Sequence, residues 1–293
     1  MKTRPCGVSG LYLWFKPLHH PSSINPSLNS AIQTFLQQGF LKCQQAISPA
    51  QIARWSAAYH ARFGEHQHPE QYGFYVGDRR LLHPLPLEGP FADPFFYACA
   101  PLRELLTALL GVQCVLNNCS VVVSFPGAKD QHLHRDAPFL FGRHPASVGA
   151  PPYAITVGIP LLPLTPDTGC TRFYTGSHQH PLPPEHFEKS TQTQQSYGDC
   201  GDIYLMDFRL VHKGTANPGR LQRPIIYLAY SQNWYFDIVN TAQHQVPSVV
   251  IDDVQLQAVP EKYRQLLSYA HLLPRQLKPY WQDFYRAENR PGL

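Results

Sequence analysis

Residues 115–125, VLNNCSVVVSF, form an apolar run of strand length that is rich in valine. Four runs of the same type follow: YAITVGIPLL at 153–162, TRFY at 171–174, IYLMDF at 203–208 and PIIYLAY at 224–230. Proline, glycine, aspartate and asparagine separate them, and the chain's 29 prolines and 19 glycines suit many short strands joined by turns. The series predicts an all-β sandwich or barrel core. Helices precede it. Leu28, Ile32, Phe35 and Leu36 recur at helical spacing, with Ser27 as N-cap and Gly39 as stop. FLKCQQAI, from residue 40, reads as a short strand. Ser48 then caps a second helix, with Pro49 at its first position and Gln51 where a capping box wants it; Ile52, Trp55 and Tyr59 share a face, and the helix ends near Phe63. Residues 102–110 form a third helix, stopped by Gly111, and a tail helix spans Glu261 to Leu272. The fold class is mainly β with flanking helices (α+β): an irregular leader at 1–27, then one domain over 28–293.

Composition narrows the function. The chain has 293 residues, 43% of them hydrophobic, and a net charge of +4 without a Lys/Arg block. Nucleic-acid-binding surfaces cluster their basic residues, so no nucleic-acid partner is expected, and the mild positive charge favours a small anionic co-substrate. The seven cysteines include no CxxC pair, which argues against a disulfide framework or zinc ribbon and for a reducing, cytoplasmic setting. The apolar stretch Val8–Phe15 is interrupted by Ser9 and Gly10 and lacks a small-x-small cleavage site, so it does not read as a secretory signal. No apolar run approaches the ~20 residues of a membrane span.

The chemistry is carried by Gln131-His132-Leu133-His134-Arg135-Asp136 and by Gly201–Gly214, GDIYLMDFRLVHKG. In a strand, residues two apart face the same way, so His134 and Asp136 can present an imidazole and a carboxylate to one metal. A distant histidine, His212 at the end of the 201–214 strand, completes a 2-His-1-carboxylate face with open positions, the arrangement of non-haem Fe(II) oxygenases. HxD alone also fits a surface strand with a paired His and Asp. Arg223, eleven residues after His212, can grip a carboxylate with two parallel hydrogen bonds; a buried structural salt bridge is the other reading.

Between these segments lies LLPLTPDTGCTRFYTGSH, from residue 161. Taken together, the sequence resembles the phytanoyl-CoA dioxygenase family of iron- and 2-oxoglutarate-dependent oxygenases: QxxHxD, a strand and a glycine-rich turn ending in GSH, then GD…HxGxxN, then an arginine eleven residues after the second histidine. The resemblance spans about residues 29–235. It implies a double-stranded β-helix (jelly roll, cupin-like) with Fe(II) held by His134, Asp136 and His212, and Arg223 on the distal carboxylate of 2-oxoglutarate. Gln131 and Thr171 match positions that touch the co-substrate in relatives. Dioxygen is the second co-substrate, succinate and CO2 are products, and ascorbate serves as an in vitro reductant. Hydroxylation of a small natural-product or amino-acid-like molecule is the implied outcome, and retention of Asp136 argues against halogenation. Thr175 stands where relatives have proline, and Gly214 where some place a supporting hydroxyl, which Thr215 could supply instead.

Two other classes remain open: a cupin-like isomerase or hydrolase using the same triad without 2-oxoglutarate, and a non-catalytic binding protein on the same scaffold. Arg79 and Arg80 read as a solvated surface pair, with a further cationic contact as the alternative. Phe95, Phe96, Tyr97, Phe139 and Phe141 are candidates for pocket walls or ordinary core. His178 reads as structural, and His19, His20, His66 and His68 as solvated loop residues.

In an extended chain His132, His134 and Asp136 would share one side, and His132 would lie ~7 Å along the strand from Asp136's neighbour His134. The HxD reading therefore predicts that His134→Ala loses iron and turnover. His132→Ala should keep stoichiometric Fe(II) and at least partial activity. Metal analysis of both purified variants checks this, and the reverse pattern would show the ligand strand to be in the wrong register.

Overall fold

A computed structural model describes residues 26–64, 73–236 and 248–270. Helix α1 (Pro26–Gln38) leads into strand β1 (Phe40–Cys43), and helix α2 (Pro49–Phe63) follows. Short strands β2 (Phe74–Tyr75) and β3 (Arg80–Pro84) precede helices α3 (Pro94–Ala98) and α4 (Ala100–Leu110). The remaining strands are β4 (Val115–Ser124), β5 (Ala154–Pro160), β6 (Thr171–Tyr174), β7 (Thr193–Gln195), β8 (Ile203–Asp207), β9 (His212–Gly214) and β10 (Arg223–Ser231). Helices α5 (Asp253–Ala258) and α6 (Glu261–Arg264) close the described chain. Among the described residues no helix is long and apolar enough to cross a membrane.

The helix signals in the sequence have physical counterparts. The Ser48 hydroxyl accepts from the Gln51 amide at 3.2 Å, satisfying one of the donors that a helix start leaves unpaired. Gly39 stops α1 with φ +70°, and a Cβ there would lie 2.5 Å from His178 Nδ1. Two boundaries differ from expectation. Helix α1 begins at Pro26, so Ser27 lies inside the first turn; proline's fixed φ suits that position. The tail helix is not continuous: α6 ends at Arg264 and tightens into a 3-10 turn, Gln265–Leu267, that buries the adjacent Leu266 and Leu267. Most of the leader, residues 1–25, and the last two residues of the expected tail helix lie outside the described residues.

Seven strands form one antiparallel sheet in the order β1-β8-β5-β10-β4-β3-β2, and three form a second, β7-β6-β9. The large sheet is buried on both faces, which is why its strands read as nearly unbroken apolar runs. Alternation still sorts them. Val121 and Val123, Ile155 and Val157, Ile226 and Leu228 pack with Trp55, Phe96 and Leu106 in the main core beneath the helices. The alternate positions, including Ser120, Val122, Thr156 and Tyr227, face a cavity that Thr171, His212 and Gly214 of the small sheet also line. The strands of the two sheets thus enclose the cavity as a jelly roll does.

A bulge near the start of β4 turns Leu116 away from the cavity face of Asn118, Ser120 and Val122. Ala229 pairs with Asn118 but Tyr230 pairs with Leu116, leaving Asn117 extra. The buried Asn117 amide is held by Ser231 Oγ and the Tyr235 carbonyl, at 2.9 and 3.0 Å. Gly158, in β5, faces Tyr204 so closely that a Cβ would overlap the ring. Gly158→Ala should therefore force the tyrosine aside and cost about 1–3 kcal/mol, the usual penalty of overpacking. Denaturant unfolding measures this, and an unchanged midpoint would show that the ring yields freely.

Candidate metal centre and its pocket

His134, Asp136 and His212 converge: one ligand atom from each lies within 4.8 Å of the others. They come from two segments that the backbone ties together. His134 N–H donates to the His212 carbonyl at 3.1 Å and His212 N–H to the His134 carbonyl at 2.9 Å, an isolated antiparallel bridge. Gln131 N–H donates to Gly214 O, and Ala137 N–H to Phe208 O, on either side of it. Residues 131–137 thus run beside β9, but not as the regular strand the sequence suggests: beyond the bridge at His134 the chain bends at Asp136.

Both histidines are oriented in the same way. His134 Nδ1 donates to the His132 carbonyl and His212 Nδ1 to the Leu210 carbonyl, each at 3.0 Å. With the Nδ1 proton so engaged, each Nε2 keeps its lone pair for a metal. Burial lowers the pKa of both to about 4, with the neighbouring His212 adding to the effect on His134, so both rings are neutral near pH 7. The 3.5 Å contact between His212 Nε2 and Asp136 Oδ1 is therefore no ion pair at that pH. Burial raises the Asp136 pKa, an effect that a bound cation would reverse by its own charge. Thr156 Oγ1 donates to Asp136 Oδ2 at 3.2 Å. Neutral imidazoles and a carboxylate, converging with their second atoms restrained, fit a divalent cation.

The triad lines a cavity of about 370 Å3 together with Gln131, Thr171, Asn118 and Tyr227. Gln131 Oε1 accepts from Gly214 N–H at 2.9 Å, and its amide donates to Val76 O. A Cβ on residue 214 would lie 2.5 Å from that oxygen, so the glycine leaves room for the Gln131 carboxamide. Thr215 does not supply the missing group to the cavity, because its hydroxyl is engaged with the backbone of Cys170, at 2.8 and 3.1 Å. Thr171 Oγ1, Tyr204 Oη and Tyr227 Oη form a hydroxyl chain with steps of 3.2 and 3.0 Å.

Arg223 is buried but is not among the lining residues. Its Nη1 reaches the carbonyls of Thr168, Cys170 and Thr215 at 3.1 to 3.4 Å, and its Nε is buried without a hydrogen bond. The surface-pair reading of Arg79 and Arg80 is half wrong. Arg79 is exposed, whereas Arg80 is 1% exposed, with its guanidinium on the Lys129 and Thr215 carbonyls and its Nε also unpartnered. Burial, then the charge of Arg223, lowers the Arg80 pKa to about 10. No carboxylate lies within ion-pair distance of either among the described residues. Two mutually repelling buried cations with orphaned donors fit an anionic co-substrate at this end of the cavity.

Other candidates separate. Phe96 and Tyr97 belong to the main core, Phe95 and Phe141 are exposed, and Phe139 is buried under Arg135. His178 is structural: its Nε2 donates to Leu36 O at 3.0 Å. Thr175, in place of the family's proline, uses its N–H to bond Gln192 O at 3.1 Å, a bond proline cannot make.

A family model described as "Phytanoyl-CoA dioxygenase (PhyH)" matches residues 35–224, well over half the chain. The chain belongs to the phytanoyl-CoA dioxygenase family. Solved structures share its fold. SnoN, a non-heme alpha ketoglutarate dependent epimerase from nogalamycin biosynthesis, is 19% identical over 70% of this chain and 81% of its own, with a TM-score of 0.54. AviO1 from Streptomyces viridochromogenes Tue57 is 21% identical over 72% of this chain and 97% of its own, at 0.53. HygX from Streptomyces hygroscopicus, solved with nickel and 2-oxoglutarate bound, is 15% identical over 73% and 90%, at 0.54.

Sequence reading passed over Arg135, whose position between two ligand candidates hid a structural role. Its guanidinium donates to the carbonyls of Arg209, Leu182, His180 and Ser177, at 2.7 to 3.4 Å, between the rings of Phe139 and Phe187. Arg135→Ala should release the segment 177–187. Hydrogen exchange should rise across those residues and the unfolding midpoint should fall. Unchanged exchange there would show that the segment is held by other contacts.

Proposed function

We propose that this protein is an Fe(II)- and 2-oxoglutarate-dependent dioxygenase that hydroxylates a small natural-product or amino-acid-like substrate, releasing succinate and CO2. The observation that carries the reading is the convergence of His134, Asp136 and His212 on one point of the cavity wall. His134 Nε2, His212 Nε2 and one Asp136 oxygen are the proposed iron ligands. The iron, when bound, supplies the place where the 2-oxo acid chelates and dioxygen is activated.

The protein's own residues divide the cavity. Along β10, Arg223 pairs with Ser124, Tyr227 with Ser120 and Ala229 with Asn118. Arg223 and Ala229 are thus ~20 Å apart along the strand at its usual rise, and Ala229 also pairs with Thr156, beside Asp136. We assign the Arg223 end to the distal carboxylate of 2-oxoglutarate, with Arg80 adding positive charge and Gln131, Thr171 and Tyr227 bordering the co-substrate. The substrate then takes the end formed by Asn118, Ala229 and Phe208. Among the described residues the Asn118 carboxamide makes no hydrogen bond, so it is available to orient a polar group. Burying the reacting carbon between two sheets keeps water from it.

Membership of the family weighs against an isomerase or hydrolase that works without 2-oxoglutarate, and against the non-catalytic reading. A cytoplasmic setting accords with the six described cysteines being free thiols, five of them buried.

Anaerobic protein given Fe(II) and 2-oxoglutarate should develop the weak visible charge-transfer band of a chelated 2-oxo acid. No band at saturating 2-oxoglutarate would sink the co-substrate assignment. Arg223→Ala should raise the 2-oxoglutarate KM at least about tenfold, the loss expected of a charge-assisted pair worth ~1.5–3 kcal/mol. Unchanged co-substrate affinity in a folded variant would make Arg223 a prop for the Thr168, Cys170 and Thr215 carbonyls instead.

A further inference from the structure

Asp136 is the one member of the triad without a ladder around it. It sits in a bend, after the single bridge at His134. A carboxylate so placed can turn, and a carboxylate that binds a cation through both oxygens occupies a position that a facial triad leaves open. The two oxygens of Asp136 have different neighbours here. Oδ1 lies 3.5 Å from His212 Nε2, the atom whose lone pair is free for a metal. Oδ2 accepts the Thr156 hydroxyl at 3.2 Å.

Thr156 is rigidly held. It is 4% exposed, in the middle of β5, with Ala229 of β10 on one side and Met206 of β8 on the other. Both neighbouring ladders fix its backbone, and its β-branched side chain has little χ1 freedom. It is also the one hydroxyl-bearing residue of β5, in a strand otherwise made of aliphatic residues, glycine and proline.

We propose that Thr156 is a positioning residue that ties Asp136 Oδ2 to the sheet, so that the carboxylate offers Oδ1 alone to the metal. The inference rests on the iron-ligand reading of the triad. It assigns the large sheet a part in the centre that neither histidine provides: the two imidazoles are oriented by carbonyls of their own segments, whereas the carboxylate is oriented from across the cavity.

Thr156→Val keeps the shape and branching of the side chain and removes the donor; Thr156→Ser keeps the donor. Binding of Mn(II), followed by the electron paramagnetic resonance of the free ion, and the visible spectrum of the Co(II)-loaded protein are the readouts. The valine variant should bind Mn(II) ~10–100-fold more weakly, as loss of a hydrogen bond to a metal ligand does, with an altered Co(II) spectrum. The serine variant should return both toward those of the unaltered protein. The unfolding midpoint of the metal-free proteins separates this effect from a general loss of stability. If the valine variant does not fold, Thr156→Ala makes the same comparison. Mn(II) affinity and Co(II) spectrum unchanged on loss of the hydroxyl would overturn the inference while leaving the triad intact. Failure of the unaltered protein to bind Mn(II) at all would instead overturn the metal-centre reading, and this inference with it.

Discussion

The reciprocal backbone bonds between His134 and His212 hold the candidate centre together. Each histidine gives its N–H to the other's carbonyl, so two segments far apart in sequence are locked side by side with their imidazoles 4.4 Å apart, centroid to centroid. Asp136 follows from the same bridge, because the chain bends just after it and returns the carboxylate toward His212. The Gln131–Gly214 and Ala137–Phe208 bonds on either side keep the bridge in register. A slip of one residue would turn an imidazole away from its partners.

Around that bridge the protein keeps unusual company in its interior. Arg80 and Arg223 are buried close enough to disfavour each other's charge, and their chief partners are backbone carbonyls. A buried cation without a carboxylate is expensive unless something else neutralises it. Carbonyl dipoles offset part of that cost. The remainder is the physical reason to place an anion at this end. Gly214 belongs to the same economy of space: the Gln131 carboxamide occupies the room where a side chain would stand.

The large sheet does two jobs with one pattern. Its outer positions bury aliphatic side chains against the helices, while the inner ones carry hydroxyls, an amide and small residues toward the cavity. The bulge at Asn117 changes the phase of β4 near its start, which puts Leu116 in the main core although Asn118, Ser120 and Val122 face the cavity. Such a shift cannot be read from the run VLNNCSVVVSF, since it depends on what Ser231 and the Tyr235 carbonyl do to the Asn117 amide.

Much was legible in local sequence because its causes are local. Ser48-Pro49 and Gly39 mark helix ends through capping and a left-handed turn, and the apolar runs mark strands through burial on two faces. The order QxxHxD, GSH, GD…HxG and arginine pointed to the triad, which the fold then gathers within 4.8 Å. What the sequence left open was everything decided across the cavity. Arg80 looked like half of a surface pair until β3 was seen to pair with β4 and bury it. Thr156 looked like an ordinary strand residue, although a lone hydroxyl in an aliphatic run was a signal available to be read. By itself the sequence determined where the chain turns, which faces are apolar and which side chains have the chemistry for a metal, since these follow from residue type and spacing. Only the tertiary structure decided that Asp136 would be reached by Thr156, that Arg80 and Arg223 would face one another, and that the Asn118 carboxamide would line the cavity with no hydrogen bond among the described residues, because each depends on contacts between strands that are distant in sequence.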